Sequence, residues 1–160
     1  MSQQNEKEIF MKEAIRLSIE NVEHGRGGPF GAVIVKDGQI IARGANSVTR
    51  TNDPTAHAEV VAIRAACQEL ESFQLDGCEI YTSCEPCPMC LAAIYWARPK
   101  AVFFANTKED AALINFDDKF IYEELALPVS ERKMFTQQLM REEALEAFEK
   151  WTTTIQKVTY

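Results

Sequence analysis

The chain has 160 residues, enough for about one domain with a core that needs no disulfide staples. Hydrophobic residues make up 46% and charged residues 26%, a balance that excludes intrinsic disorder and collagen-like repeats. Seventeen basic against 24 acidic side chains leave a net charge of −7, and no Lys/Arg cluster exceeds a pair, which argues against a phosphate-gripping nucleic-acid surface.

Residues 5–24 carry Ile9, Phe10, Ala14, Ile15, Leu17 and Val22 at mostly three-to-four spacing, the pattern of an amphipathic helix, and Gly25 stops it. The loop Gly25-Arg26-Gly27-Gly28-Pro29 lets the backbone pass close to a neighbour. Residues 32–35 and 39–42 flank Asp37-Gly38 and predict a hairpin. A polar loop over 44–53 leads to Pro54-Thr55, and helical periodicity resumes through Val60, Val61, Ile63, Ala66, Cys67 and Leu70. Asp76-Gly77 turns into a strand at 79–82, followed by Cys84-Glu85-Pro86-Cys87-Pro88-Met89-Cys90 and an apolar helix at 91–97. Arg98-Pro99 stops that helix, and 100–105 is a further apolar strand. The order α-β-β-α-β-α-β favours an α/β fold with helices on both faces of one sheet. Beyond residue 106 the pattern predicts a loop through Asp117-Asp118, a helix near 121–127, a charged segment and a final helix around 142–151. No repeat or linker divides the chain, so residues 1–160 are expected to form a single domain. The longest apolar run, residues 89–97, is far short of the ~20 that a membrane helix needs. The N-terminus shows no export signal, so the expectation is a cytoplasmic protein without a membrane partner.

Five cysteines is an odd number, and Cys84, Cys87 and Cys90 crowd into seven positions. That spacing points to metal or redox chemistry in a reducing compartment rather than to a disulfide framework. Cys67 and Cys78 read as small apolar core residues. Two short elements stand at helix starts: His57-Ala58-Glu59 and Pro86-Cys87-Pro88-Met89-Cys90. Cysteines at i and i+3 on one turn can both reach an ion at ~2.3 Å, and a helix N-terminus favours their thiolates. His57 supplies a third ligand. Three protein ligands and one open position is the pattern of a catalytic zinc site, one Zn2+ per chain. Glu59, two residues after the histidine, is placed to move the proton of an activated water. H-x-E followed by P-C-x-x-C is the zinc deaminase signature. Cys84-x-x-Cys87 has the same spacing, but Cys84 precedes Pro86 and lies outside the helical turn, so Cys87 and Cys90 are preferred as ligands.

The chain closely resembles the bacterial guanine deaminases, a branch of the cytidine-deaminase-like superfamily. The likeness runs nearly end to end. It is carried by Gly27-Gly28-Pro29-Phe30-Gly31-Ala32-Val33-Ile34-Val35, by Asn52-Asp53-Pro54-Thr55-Ala56-His57-Ala58-Glu59 and by Tyr81-Thr82-Ser83-Cys84-Glu85-Pro86-Cys87-Pro88-Met89-Cys90. It continues through Ile94-Tyr95-Trp96-Ala97-Arg98-Pro99-Lys100-Ala101-Val102-Phe103 and Phe116-Asp117-Asp118. The zinc motif belongs to the whole superfamily; the Phe-Asp-Asp segment and the terminal Tyr160 point to the guanine branch. The resemblance implies a three-layer α/β/α sandwich around a mixed five-stranded sheet. It also implies hydrolysis of the purine base guanine to xanthine and ammonia, by attack of zinc hydroxide on the carbon bearing the amine. Matching positions imply that Asn46 hydrogen-bonds the purine, that Phe30 and Trp96 line an aromatic slot, and that Ala58 contributes to the pocket. Asp118 would contact the exocyclic amine and share proton transfer with Glu59. A C-terminal segment swapped between the subunits of a homodimer would bring Tyr160 over the neighbour's pocket.

Read from the residues alone, several of these positions keep a second meaning. Asp118 can cap the following helix, Phe30 and Trp96 can be core residues, and Asn46 can stabilise a turn. Other substrates within the same chemistry are guanosine, cytosine, adenine or a related aminotriazine, or adenosine in tRNA. A structural zinc module would need four protein ligands and leaves Glu59 without a role. A redox protein would use Cys87 and Cys90 as a dithiol.

Overall fold

The computed structural model describes residues 3–116 and 118–160; Asp117, the middle of the Phe-Asp-Asp segment, lies outside the described residues. The chain divides into two compact units, one running through Asp118 and one from Lys119 to Tyr160.

The first unit begins with helix α1 (Gln3–Glu23). Strands β1 (Gly31–Lys36) and β2 (Gln39–Ala45) form the expected hairpin, turning at Asp37-Gly38 with both residues in the left-handed region. A four-residue helix, α2 (Val48–Thr51), sits inside what reads as a polar loop. Helix α3 (Ala58–Glu69), strand β3 (Glu79–Cys84), helix α4 (Pro88–Ala97) and strand β4 (Ala101–Asn106) complete the alternation. The strand order is β2-β1-β3-β4; β1 is antiparallel to both β2 and β3, and β3 is parallel to β4.

Period-two alternation sorts the strand residues onto two faces. Val33, Val35 and Tyr81 pack under Ala14 of α1, with Phe10, Met11 and Leu17 beside them. Ala32, Ile34 and Ile80 pack on the opposite face against Ala58, Ala62 and Ala66 of α3 and Ile94 and Ala97 of α4. The three-layer α/β/α arrangement is therefore present. The buried stripe of α1 is Ala14, Ser18 and Asn21, while Val22, which the periodicity places inward, is 52% exposed.

The sheet has four strands among the described residues, not five. The four are those legible by apolar pattern. The chain leaves β4 at Thr107, where a capping box starts helix α5 (Lys108–Leu113): Asp110 N–H donates to Thr107 Oγ1, and the Asp110 carboxylate accepts from Thr107 N–H. This helix start takes the chain away from the ladder and leaves β4 paired only with β3 among the described residues. The sequence pattern predicts only a loop through Asp117-Asp118 between residue 106 and the helix near 121, so α5 is an element it does not anticipate.

The second unit holds α6 (Lys119–Ala126), a 3-10 turn (Val129–Glu131) and α7 (Arg141–Thr153). Both helices match the expected pair with small shifts at the ends. No residue from 119 to 160 is buried. No helix among the described residues is long and apolar enough to cross a membrane.

Candidate metal centre

Two helix N-termini converge at the end of the sheet where β3 finishes. His57 is the N-cap residue of α3 and Cys87 the N-cap residue of α4, both in extended backbone, with Pro88 opening the helix after Cys87. The lead-in to His57 is fixed locally. Asp53 Oδ1 accepts from Thr55 N–H at 2.8 Å and from the Thr55 hydroxyl at 2.7 Å, an Asx turn. Those bonds, with Arg64 behind them, hold the Asp53 carboxyl below the usual carboxylate range. Ser47 N–H to Ala56 O at 2.9 Å ties the same loop to the end of β2. Gly44 of β2 then lets α3 come close: a Cβ there would stand 2.1 Å from Ala58 O and 2.6 Å from Ala62 N. An alanine at position 44 would push back the turn that carries His57 and Glu59.

His57 Nδ1 lies 3.5 Å from Cys87 Sγ and 3.5 Å from Cys90 Sγ. Ligand atoms of the three residues all fall within 4.8 Å of one another, the one such cluster among the described residues. Zinc bonds of about 2.3 Å to sulfur and about 2.0 Å to nitrogen, at the tetrahedral angle, separate a sulfur from a nitrogen by about 3.5 Å. The donor set and its spacing therefore fit zinc, with His57 Nδ1 facing both sulfurs. The Cys90 thiol and the His57 imidazole hold Cys87 far below the usual thiol range, while contact with Cys87 and burial push Cys90 up. Contact with Cys87 raises His57 above its ordinary value. Cys84 is buried as well, but its thiol donates to Thr107 O at 3.5 Å, and it stands outside the cluster. Burial pushes the Cys84 thiol up to about 11, the behaviour of an inert structural cysteine. All five cysteines are free.

Glu59 sits in the first turn of α3 and is 6% exposed, and burial raises its carboxyl above the usual range. Its Oε1 accepts from the Thr82 hydroxyl at 3.3 Å. Asp118 is half-buried and stands immediately before α6; its charge reaches both His57 and Cys84. Ala58 is fully buried between His57 and Glu59.

Asn46, 6% exposed, follows β2 and sits against the glycine loop. Its N–H donates to Phe30 O at 3.1 Å, and its Oδ1 lies 3.4 Å from both Gly28 N and Val48 N. The Asn21 side chain of α1 clamps the same spot, donating to Gly28 O at 2.8 Å and to Asn46 O at 2.9 Å. Gly27 is required there, because a Cβ would stand 2.4 Å from Asn46 O. Phe30 is half-buried: it packs against the α3/α4 core and meets Phe116 edge-on, with centroids 5.0 Å apart. Trp96 is 62% exposed on α4, so it is not a core residue. Tyr160 belongs to the second unit and is 69% exposed.

The contacts of Asn21 with Gly28 and Asn46, and of Thr82 with Glu59, were not legible in the sequence. Asn21 is masked by the apolar neighbours that define the helix, and Thr82 sits in a strand whose pattern reads as plain core. The available signal at Thr82 was chemical, a polar side chain inside a run that reads as buried; at Asn21 the periodicity pointed to Val22 instead.

Residues 4–106 match the cytidine and deoxycytidylate deaminase zinc-binding region. Guanine deaminase of Bacillus subtilis (strain 168) is 58% identical over 153 residues, 96% of this chain and 98% of its own length. The X-ray structure of guanine deaminase from Bacillus subtilis superposes with a TM-score of 0.94 at 56% identity, covering 100% of this chain and 99% of that one. The tRNA-specific adenosine deaminase of Aquifex aeolicus (strain VF5) is 44% identical over 110 residues, 68% of this chain and 72% of its own.

Proposed function

The chain belongs to the cytidine and deoxycytidylate deaminase zinc-binding family, and from that membership we propose that it hydrolyses guanine to xanthine and ammonia. The carrying observation is the His57–Cys87–Cys90 cluster with the buried Glu59 carboxylate beside it. The choice of guanine rests on the extent of the likeness. It runs past the zinc-binding region, through Asp118 and into the second unit, whereas the likeness to the tRNA-specific relative covers 68% of the chain.

His57 through Nδ1, with Cys87 and Cys90 through sulfur, would hold the zinc. Bound zinc supplies a Lewis acid that lowers the pKa of water towards neutrality. The Glu59 carboxylate takes a proton from the attacking water and returns it to the departing amine nitrogen, so that guanine and water become xanthine and ammonia with no outside acid. Asp118 accepts from the exocyclic amine and shares that transfer. The exocyclic amine gives that carboxylate a donor that a ring without the amine lacks, which favours the amine-bearing base. Asn46, held from behind by Asn21, hydrogen-bonds the purine edge; Phe30 and Trp96 offer ring faces, and Ala58 closes the wall between the histidine and the glutamate.

The second unit supports a homodimer. Phe135 is 86% exposed, Phe148 71% and Ile155 98%, and the unit buries no residue of its own. So short a segment needs another surface to stabilise it. We propose that it crosses to a second copy and brings Tyr160 over that copy's site. Deleting Tyr160 should lower turnover several-fold, and an unchanged rate would remove Tyr160 from the pocket. The free thiols suit a reducing, cytoplasmic setting.

The test is ammonia release by zinc-loaded protein given guanine, guanosine, adenine, cytosine and cytidine separately, with Glu59→Gln as the blank. Turnover of guanine above the other four is expected, as is a loss of about 10²–10⁴-fold in Glu59→Gln with zinc retained. Turnover of another base alone would keep the metal centre and discard the assignment of Asn46 and Asp118. Salt-sensitive tRNA binding would revive the tRNA reading despite the acidic chain.

A further inference from the structure

Thr82 stands in the middle of β3 in a run, Ile80-Tyr81-Thr82-Ser83-Cys84, that is buried throughout. It is 1% exposed and faces the α3/α4 side of the sheet, as its neighbour two residues back, Ile80, does. A valine would fill that volume and shape equally well. A hydroxyl in such a place must find an acceptor, because an unsatisfied one costs about as much as a lost hydrogen bond. The carbonyls around it are committed to the ladders, since Thr82 pairs with Ala32 on one side and Phe104 on the other. Its Oγ1 instead donates to Glu59 Oε1 at 3.3 Å.

We infer that Thr82 is a positioning residue for Glu59, fixing which carboxylate oxygen is presented to the reacting water and amine. The inference rests on the reading of Glu59 as the proton carrier. The last torsion of a glutamate is broad, so its two oxygens exchange places easily unless one is tethered. Thr82 is a suitable tether, being β-branched with a restricted χ1 and mounted on a central strand, so its hydroxyl direction is set by the sheet. The carboxylate also meets the Cys90 thiol and its own backbone N–H. The Thr82 bond adds the contact that holds Oε1 against β3, so that the carboxylate keeps one orientation through both proton transfers. Small displacements of a reacting group cost large factors in rate, so the effect should appear in kcat.

Two variants separate this role from mere packing. Thr82→Val keeps volume and branching and removes the hydroxyl; Thr82→Ser keeps the hydroxyl and leaves a methyl-sized gap. The measurements are zinc content, Tm, kcat and KM for guanine on zinc-loaded full-length protein, with Glu59→Gln alongside. Thr82→Val should keep one zinc and a Tm near that of the parent. Its kcat should fall ~10- to 100-fold, the range for losing a hydrogen bond to a charged group, while KM moves by less than about twofold. Thr82→Ser should have the lower Tm and the higher kcat of the two. That inversion of order between stability and turnover is what a packing role cannot produce. A Thr82→Val enzyme with full kcat, or variants whose turnover simply tracks Tm, would overturn the inference. If Thr82→Val fails to fold or to take up zinc, Thr82→Ala against Thr82→Ser isolates the hydroxyl in the same way, and equal kcat in that pair would overturn it. Full turnover in Glu59→Gln would instead defeat the underlying reading of Glu59.

Discussion

At the start of β3, the Tyr81 hydroxyl donates to Glu79 Oε2 at 2.7 Å, and Lys100 Nζ closes on the same carboxylate at 3.1 Å. At its other end, Cys87, Cys90 and Glu59 crowd around the single imidazole of His57. Both clusters contain displaced protonation equilibria, but for opposite reasons. In the first, an acid meets a donor and a cation, so Glu79 is held low and Tyr81 high, and every group is complemented within the protein. In the second, groups that all become anionic on losing a proton are brought together, and a divalent cation is what balances them. A shifted pKa alone does not mark a functional site; a shift that calls for a ligand does.

The largest effect that divides the two ends is metal loss. Cys87→Ala or Cys90→Ala should each leave purified protein with little zinc and no measurable turnover, because two remaining ligands hold the ion poorly. Cys84→Ala should keep zinc and turnover and cost only about 1 kcal/mol, from lost packing and the weak thiol bond to Thr107. Metal analysis of the three proteins decides between them. Zinc lost from Cys84→Ala and retained in Cys90→Ala would move the site back by one turn.

That contrast also explains what could be read from the sequence. His57, Glu59, Cys87 and Cys90 were legible because each sits at a helix start whose spacing carries a chemical requirement, and the four strands because their apolar runs are bounded by turns. The fifth strand came from resemblance alone, and the Thr107–Asp110 capping box directs the chain into a helix instead. Val22 and Asn21 exchange their expected places because periodicity reports a helix and only loosely which neighbouring residue faces the core. Thr82 was invisible for a related reason: its Cβ branch is at home in a strand, and nothing in the pattern distinguishes a hydroxyl that binds from one that fills space. The second unit was read as helices correctly. Its apolar residues, such as Phe135 and Ile155, are exposed among the described residues, so their pattern marks no buried face.

The smallest expected effect lies at the Tyr81 end, where the comparison predicts lost stability and unchanged chemistry. Tyr81→Phe keeps the ring stacked on Phe103 at 4.8 Å and removes one bond to a carboxylate that Lys100 still faces. A cost of about 1 kcal/mol with full zinc and kcat is expected, since water can reach Glu79 and replace part of the bond. The pH dependence carries a sign at each limb. Glu79 is held below its ordinary 4.5, by the Tyr81 hydroxyl first and Lys100 second, so its contribution is present above that pH and is lost as acid protonates it. Tyr81 is raised above its ordinary 10, by burial first and Glu79 second, so its contribution is present below that pH and is lost in alkali. Denaturant melts across pH should therefore show the gap between parent and Tyr81→Phe at its widest near neutrality, narrowing in acid below roughly pH 4.5 and in alkali above roughly pH 10. A gap independent of pH would mean that the hydroxyl matters through packing alone. A fall in kcat without loss of stability would mean that this end of β3 communicates with the metal centre.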